Sequence, residues 1–358
     1  MFSSSSESDM EVLQLLSDWD SDTDSDCTQN SDNIIQRGRV NYMIELNDAE
    51  FTYRFRINKT AVTNLLAEVY PYLKTTTSRN NGIEPLNQLL LTLRYYALGT
   101  MLESVADYVG VSKSSACRII GDVSNSIAQL YDNHIRIDNP TPAEFKQIAG
   151  FPLVHGIIDC THILVQAREC EVGEVFRNSK GSYSLNVQAV CNAKLLFLNI
   201  VPQSPGSTHD ARIFDDSNLR AQCENGILNN RWLLGDSAYP CRPYLLTPVL
   251  NPATRKEELY NAAHIKTHNT IERCFGVWKR RFPVLSNKFR LSVSKIQAII
   301  TSTAILHNIC RKDGIPDVDP EAEVSDQTCE SICSQRHCQE RHDLINDYFG
   351  RIEDLPPS

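Results

Sequence analysis

No run of apolar residues in this 358-residue chain approaches the roughly 20 needed to cross a bilayer, so no membrane-spanning helix is expected. The opening MFSSSSESDMEVLQLL lacks both a basic start and an apolar stretch, and no secretory signal is read there. A cytosolic or nuclear protein is therefore expected. Lys and Arg are absent from residues 1–32, which hold nine acids and few aliphatic residues. Such a segment cannot bury enough surface to offset the entropy of ordering, and 1–32 is read as a disordered, solubilising acidic tail. Its run SDWDSDTDSD could also take phosphate or mimic the charge of DNA. The common zinc spacings are missing too. The 12 cysteines are scattered from Cys27 to Cys338, as reduced intracellular thiols are. Their one local cluster, Cys329, Cys333 and Cys338 with His342, does not follow a usual zinc pattern.

What is present is a sizeable core. Hydrophobic residues make up 41% of the chain. The net charge of −9 conceals a division, because the tails 1–32 and 313–358 each carry −9. The stretch 33–312 holds 32 basic and 23 acidic residues, so it carries +9. A basic body between acidic tails suits a nucleic-acid binder, although +9 over such a length also suits a solvated surface.

The first part of that body reads as helical. Apolar spacing predicts helices over 57–73 and 85–100, the second opening on Pro85, with a polar linker over 75–82. In 101–127, Ala106 is small where two helices would cross and Gly110 suits a tight turn. Val111 is an apolar plug, and Ser112 is a good cap for the next helix. That is the arrangement of a helix-turn-helix, shared with many ordinary helical hairpins. As a DNA reader it would present Ser112, Lys113, Ser114, Ser115 and Arg118. After a linker over 138–142 and a short helix, the pattern changes to apolar strands over 155–166, 183–192 and 195–203. A helix over 209–219, a short strand over 231–236 and long helices over 256–281 and 291–312 follow. Three strands, a helix, a strand and then helices is the order of an RNase H-like α/β core. The expected organisation is thus an acidic tail (1–32), an all-α helix-turn-helix region (33–140), an RNase H-like nuclease domain (141–312) and an acidic C-terminal tail (313–358).

Three carboxylates stand out. Asp159 interrupts an apolar strand, where a lone charge is costly unless a cation sits beside it. Asp236 ends a second apolar strand. Glu272 shares a helix face with His268 and Lys279. Taken singly, each has an ordinary reading: Asp159 bonded to a backbone turn, Asp236 as a turn or cap residue, Glu272 paired with Arg273 or Lys279. Gathered together they would repel one another, and divalent cations would remove the conflict. Mg²⁺ or Mn²⁺ prefers such oxygen ligands and supports phosphodiester hydrolysis by a two-metal mechanism. Asp210 is a fourth candidate, either an outer metal ligand or a helix cap. His162 and His209 flank the acids; each could touch DNA or metal, but a packed, hydrogen-bonded ring is the expected reading. Lys279 could reach a neighbouring phosphate.

The segments GIIDCTH, FRNSKGSYSLNVQAVCN, PGSTHDARIF, GDSAYPCRPYLLTP and NTIERCFGVWKRRFPVL together resemble the PIF/Harbinger group of DDE transposases, over roughly 50–312. The resemblance implies that Asp159, Asp236 and Glu272 are the catalytic acids and that Asp210 belongs with the metal site. It also places the family's downstream lysine on Lys279. Asp236 and Glu272 are separated by 35 residues, a usual spacing for the class. Two positions depart from the pattern. His268 stands where family members often have Arg, a weaker and pH-dependent cation. Ala238 replaces a common glycine, which matters only if the backbone there needs positive φ. The resemblance further implies DNA as substrate, a nuclear location with the cytoplasm as second compartment, a Myb-like DNA-binding partner and self-association. The alternatives are an inactive DNA-binding or scaffold protein that keeps the fold, and some other metal-dependent phosphoryl hydrolase.

Overall fold

A computed structural model describes residues 40–73, 83–137, 141–166, 171–318 and 338–353. The acidic start, the linker over 75–82, and Cys329 and Cys333 lie outside the described residues. The main helices before the sheet are α1 (Asp48–Phe55), α2 (Lys59–Val69), α3 (Pro85–Leu98), α4 (Leu102–Val109), α5 (Lys113–Ala128) and α6 (Pro142–Ala149). Then come β1 (Val154–Leu164), β2 (Ser184–Cys191), β3 (Phe197–Pro205), α7 (Asp210–Asp216), α8 (Asn218–Glu224), β4 (Trp232–Leu234) and β5 (Leu245–Leu246). Helices α9 (Arg255–Arg281), α10 (Val293–Lys312) and α11 (Gln339–Leu344) follow, and α11 continues as a π turn over Ile345–Phe349.

The chain divides into two compact units that interleave in sequence. The first gathers Met1–His134, Leu164–Glu174 and Lys279–Asp319, and within it α10 packs with α5. Its helix ends follow local chemistry. Asn47 and Glu50 form a capping box at the start of α1, and Pro85 occupies the first turn of α3. Gly110, at φ +69°, ends α4 in the left-handed region that glycine enters without strain. The Ser112 hydroxyl then accepts from the Ser115 N–H at 3.2 Å and caps α5. Ala116, Ile119, Ile120, Val123 and Ile127 of α5 are buried, while Lys113, Ser114 and Arg118 near its start are exposed.

The second unit holds Ile135–Ile163, Val175–Trp278 and the C-terminal segment. Its sheet has the order β3-β2-β1-β4-β5, with β2 and β3 antiparallel and β1, β4 and β5 parallel. Every residue of β2 is buried, which fits a strand covered on both faces. One face packs Ile158, Val190 and Leu233 against Ile213, Phe214 and Leu219 of α7 and α8. On the other, Phe197 meets Trp278 of α9 edge to face, at 5.0 Å between ring centroids. The segment 338–353, which composition alone assigns to an acidic tail, is helical and packed. Leu344, Ile345 and Phe349 are buried, and Phe349 sits 5.6 Å from both Phe151 and Tyr260. Leu344, Ile345 and Phe349 recur at a helical spacing that the surrounding acids mask.

Candidate active site

Strand β1 carries Asp159 into the centre of the sheet, where it is 6% exposed. Its Oδ1 accepts the N–H of Cys160 at 2.7 Å. Burial holds the carboxyl well above the usual range, the charges of Asp236, Asp210 and Glu272 add to the rise, and the Cys160 N–H opposes it. The charges acting most strongly on Asp159 are thus other carboxylates. Four acids from β1, the end of β4, α7 and α9 share one electrostatic neighbourhood. The purely local readings of Asp159, Asp236 and Glu272 do not account for that gathering.

Each acid is placed by its element. Asp236 follows β4, which pairs in parallel with β1, and its Oδ1 accepts the Ala238 N–H at 3.1 Å in a tight turn. Ala238 is buried and is not among the described residues with positive φ, so the missing glycine costs nothing. Asp210 does not cap its helix: it is the first residue of α7, where His209 is the cap position. Its Oδ1 accepts from Asn186 Nδ2 of β2 at 2.8 Å, and Asn186 also donates to the Thr208 carbonyl at 2.9 Å. Burial raises the Asp210 carboxyl, opposed by the bonds from Asn186 and Cys160. Gly206 sits where a Cβ would meet the Ser184 Oγ at 2.4 Å and the Phe176 carbonyl oxygen at 2.5 Å. Glu272 lies exposed on α9. Among the described residues, no three Asp, Glu, His or Cys side chains converge closely enough to cage a metal ion as they stand.

His268 is not a cation. It is buried, stacks on His264 with the rings 12° from parallel, and bonds to the Ile158 backbone just before Asp159. Burial pulls its pKa down to about 4, so the ring is neutral at physiological pH. It ties the strand of the first acid to the helix of the third. His162 bonds Ser184 Oγ at 2.9 Å, as a packed ring, while His209 is exposed. Lys279 is buried at 6% and falls, with Ser112, Lys113, Ser114, Ser115 and Arg118, in the other unit. Lys113, Ser114 and Arg118 are exposed, and Lys113 pairs with Glu103 at 3.1 Å.

Three supporting residues are not evident from sequence reasoning. Asn186 holds Asp210, and the thiol of Cys160 lies 3.3 Å from the Tyr239 hydroxyl, joining β1 to the turn after Asp236. The strand SLNVQAVC also carries Ser184 and Gln188, so the polar Asn186 within it is a weak signal. Nothing in the sequence distinguishes Cys160 or Tyr239 from ordinary core residues.

Comparison with known proteins bears on these same residues. The family described as DDE superfamily endonuclease matches residues 158–308, a span that begins one residue before Asp159 and contains Asp210, Asp236 and Glu272. The human protein named "Putative nuclease HARBI1" is 32% identical over 252 residues, covering 68% of this chain and 72% of its own length. Its Xenopus laevis counterpart is 30% identical over 292 residues, with 79% and 82% covered. The Arabidopsis thaliana "Protein ALP1-like" is 23% identical over 252 residues, with 65% and 62% covered. No solved structure matches at a significant level. With its four acids gathered around β1 and most of its length shared with these relatives, the chain belongs to the Harbinger-type DDE transposase family, together with HARBI1.

Proposed function

We propose that this chain is a divalent-metal-dependent DNA endonuclease whose catalytic acids are Asp159, Asp236 and Glu272, with Asp210 beside them. The observation that carries the reading is the gathering of four carboxylates around a buried Asp159 whose charge their own charges disfavour. An all-oxygen donor set fits Mg²⁺ or Mn²⁺ better than a soft metal. Such ions, when bound, supply a water acidic enough to attack phosphorus and stabilise the leaving oxygen. The chain's own part is to hold the acids in place. Asn186 fixes Asp210, the turn through Ala238 fixes Asp236, and His268 links the helix of Glu272 to the strand of Asp159. The observed element order, three strands, two short helices, strands and then long helices, supports an RNase H-like core.

We assign DNA contact in the first unit to the open start of α5, with Lys113, Ser114 and Arg118 facing outward. Ser112 and Ser115 serve there as cap and capped residue, which supports a helix-turn-helix reading of α4 and α5. Nuclear location, a Myb-like partner and self-association are proposed from family membership alone. The second reading, a DNA-binding scaffold without catalysis, draws on the way Asp159, Asp210 and Asp236 are each turned onto a local N–H donor. Cleavage of supercoiled plasmid decides between them. Metal-dependent nicking that vanishes in both Asp159→Ala and Glu272→Ala supports the nuclease. Intact DNA binding with no nicking by wild type, even with a Myb-like partner supplied, supports the scaffold.

A further inference from the structure

Of the four gathered acids, Glu272 alone is exposed, on the long helix α9. A phosphate brought up to four carboxylates is repelled unless cations stand nearby. The two basic side chains that spacing puts on the face of Glu272 are not at the surface, because His268 and Lys279 are 8% and 6% exposed. Other residues of the same helix are turned to solvent. Lys266, Asn269, Glu272 and Arg273 are exposed, while Thr267, His268, Thr270 and Ile271 between them are buried. Asn269 and Arg273 follow Lys266 by three and seven residues. That spacing stacks the three in one stripe about 10 Å long, with Glu272 along its edge.

Exposed cations on a helix ordinarily pair with acids three or four residues away. Arg255, at the start of α9, shows that case, with its guanidinium 3.0 Å from Glu258. The stripe offers no such acid. Ala262, Ala263, Asn269 and Thr270 stand at those distances from Lys266, and Asn269, Thr270, Gly276 and Val277 from Arg273. Glu272 is adjacent to Arg273 in the chain and so faces about 100° away round the helix. Neither Lys266 nor Arg273 has an ion pair among the described residues. Two cations and an amide are thus presented to solvent beside the third acid, with no carboxylate of their own helix placed to take them up.

We propose that Lys266, Asn269 and Arg273 form a phosphate-binding stripe that seats the DNA backbone alongside Glu272, an inference that rests on the nuclease reading of the four acids. The planar fork of Arg273 takes two oxygens of one phosphate next to Glu272. Lys266 supplies a point charge farther along the same strand, and the Asn269 amide donates from between them. Contacts of this kind set the register of a strand against the acids and read no bases.

The test uses the full chain and a short labelled duplex of mixed sequence. Binding is followed over a range of salt concentrations without metal, and nicking of supercoiled plasmid is followed in parallel with Mg²⁺. Lys266→Gln and Arg273→Gln should each lower the slope of log affinity against log salt by about 1, and the double variant by about 2. Arg255→Gln removes a charge from the same helix and should leave the slope unchanged. In nicking, the double variant should raise KM with little change in kcat, because a backbone contact is made equally before and during reaction. If the double variant does not fold, the two single variants decide. A wild-type slope in the double variant, an equal loss in Arg255→Gln, or a wild type that binds no duplex overturns the proposal. Wild type that binds but does not nick sinks the nuclease reading alone, and the slopes still decide the stripe.

Discussion

Arg281 and Asp159 are both buried charges, one in each compact unit, and the protein treats them in opposite ways. Arg281, 1% exposed, donates to the carbonyls of Arg56 at 3.2 Å, Ile315 at 3.2 Å and Pro316 at 2.9 Å, and to Asp317 at 3.1 Å. A buried guanidinium that meets four acceptors, with its Nε alone unpartnered, is a structural device, holding the last turn of α9 to the segment after α10. Asp159 is met by one N–H and by three carboxylates that push against it. A buried carboxyl crowded by like charges supports the proposed reading of this neighbourhood as a metal site.

The largest expected effect breaks the comparison at its functional end. Asp159→Asn keeps the shape and the acceptor for the Cys160 N–H but removes the charge. Nicking activity should fall by more than about 100-fold, the upper range for merely supporting ligands. The melting temperature without metal should not fall. The sign follows from the shift: the folded carboxyl titrates above its unfolded value, so ionising it costs stability as pH rises past the ordinary carboxylate range. A parallel drop in melting temperature and activity would make Asp159 a structural residue. The structural end is tested by Arg281→Met, which takes the guanidinium from three carbonyls and leaves Asp317 with Arg311. A loss of about 3 kcal/mol in urea unfolding is expected. A loss below about 1 kcal/mol would show that water replaces the guanidinium there.

Much of this difference is legible in the amino-acid sequence. A charge inside GIIDCTH is conspicuous because the residues around it are apolar, and a strand period leaves it nowhere to go but inward. Most helices and strands of 57–312 follow from apolar spacing for the same reason, but the break between α7 and α8 and the two-residue β5 do not. Helix α1 does not, although Asn47 and Glu50 spell a capping box, because eight residues carry little periodicity. The helix after Cys338 is hidden because its apolar positions sit among acids. Arg281 cannot be recognised as buried, since KRR at a helix end reads as a solvated C-terminus. His268 misleads for a related reason. Spacing puts it on the face of Glu272, but spacing does not report that the ring is buried against His264 and therefore neutral.

That pair of rings sharpens the comparison on the pH axis. Burial pulls His264 down to about 3, with the neighbouring His268 as the second cause, and His268 to about 4. A folded pKa below the unfolded value near 6.5 favours the neutral ring. The stability it contributes is complete above pH 6.5 and is lost as pH falls toward 4. Each ring should cost about 2 kcal/mol by pH 5, read as a drop in the urea midpoint from pH 7 to pH 5. His268→Leu should roughly halve that drop, and an unchanged drop would mean other groups control acid unfolding.

The smallest expected effects separate a cap from a contact at the start of α5. The Ser112 hydroxyl accepts from the Ser115 N–H and touches the Ser114 and Ser115 hydroxyls, so its bonds are spent within the turn. Ser112→Ala should lower stability by about 1 kcal/mol and leave the salt dependence of DNA binding unchanged. Lys113 is exposed, and its pair with Glu103 lies on the surface. Lys113→Ala should leave stability within about 0.5 kcal/mol and reduce the slope of log affinity against log salt by about 1, the loss of one phosphate contact. If both substitutions move stability and neither moves the slope, α4 and α5 are a packing hairpin, and the DNA contacts of the first unit lie elsewhere.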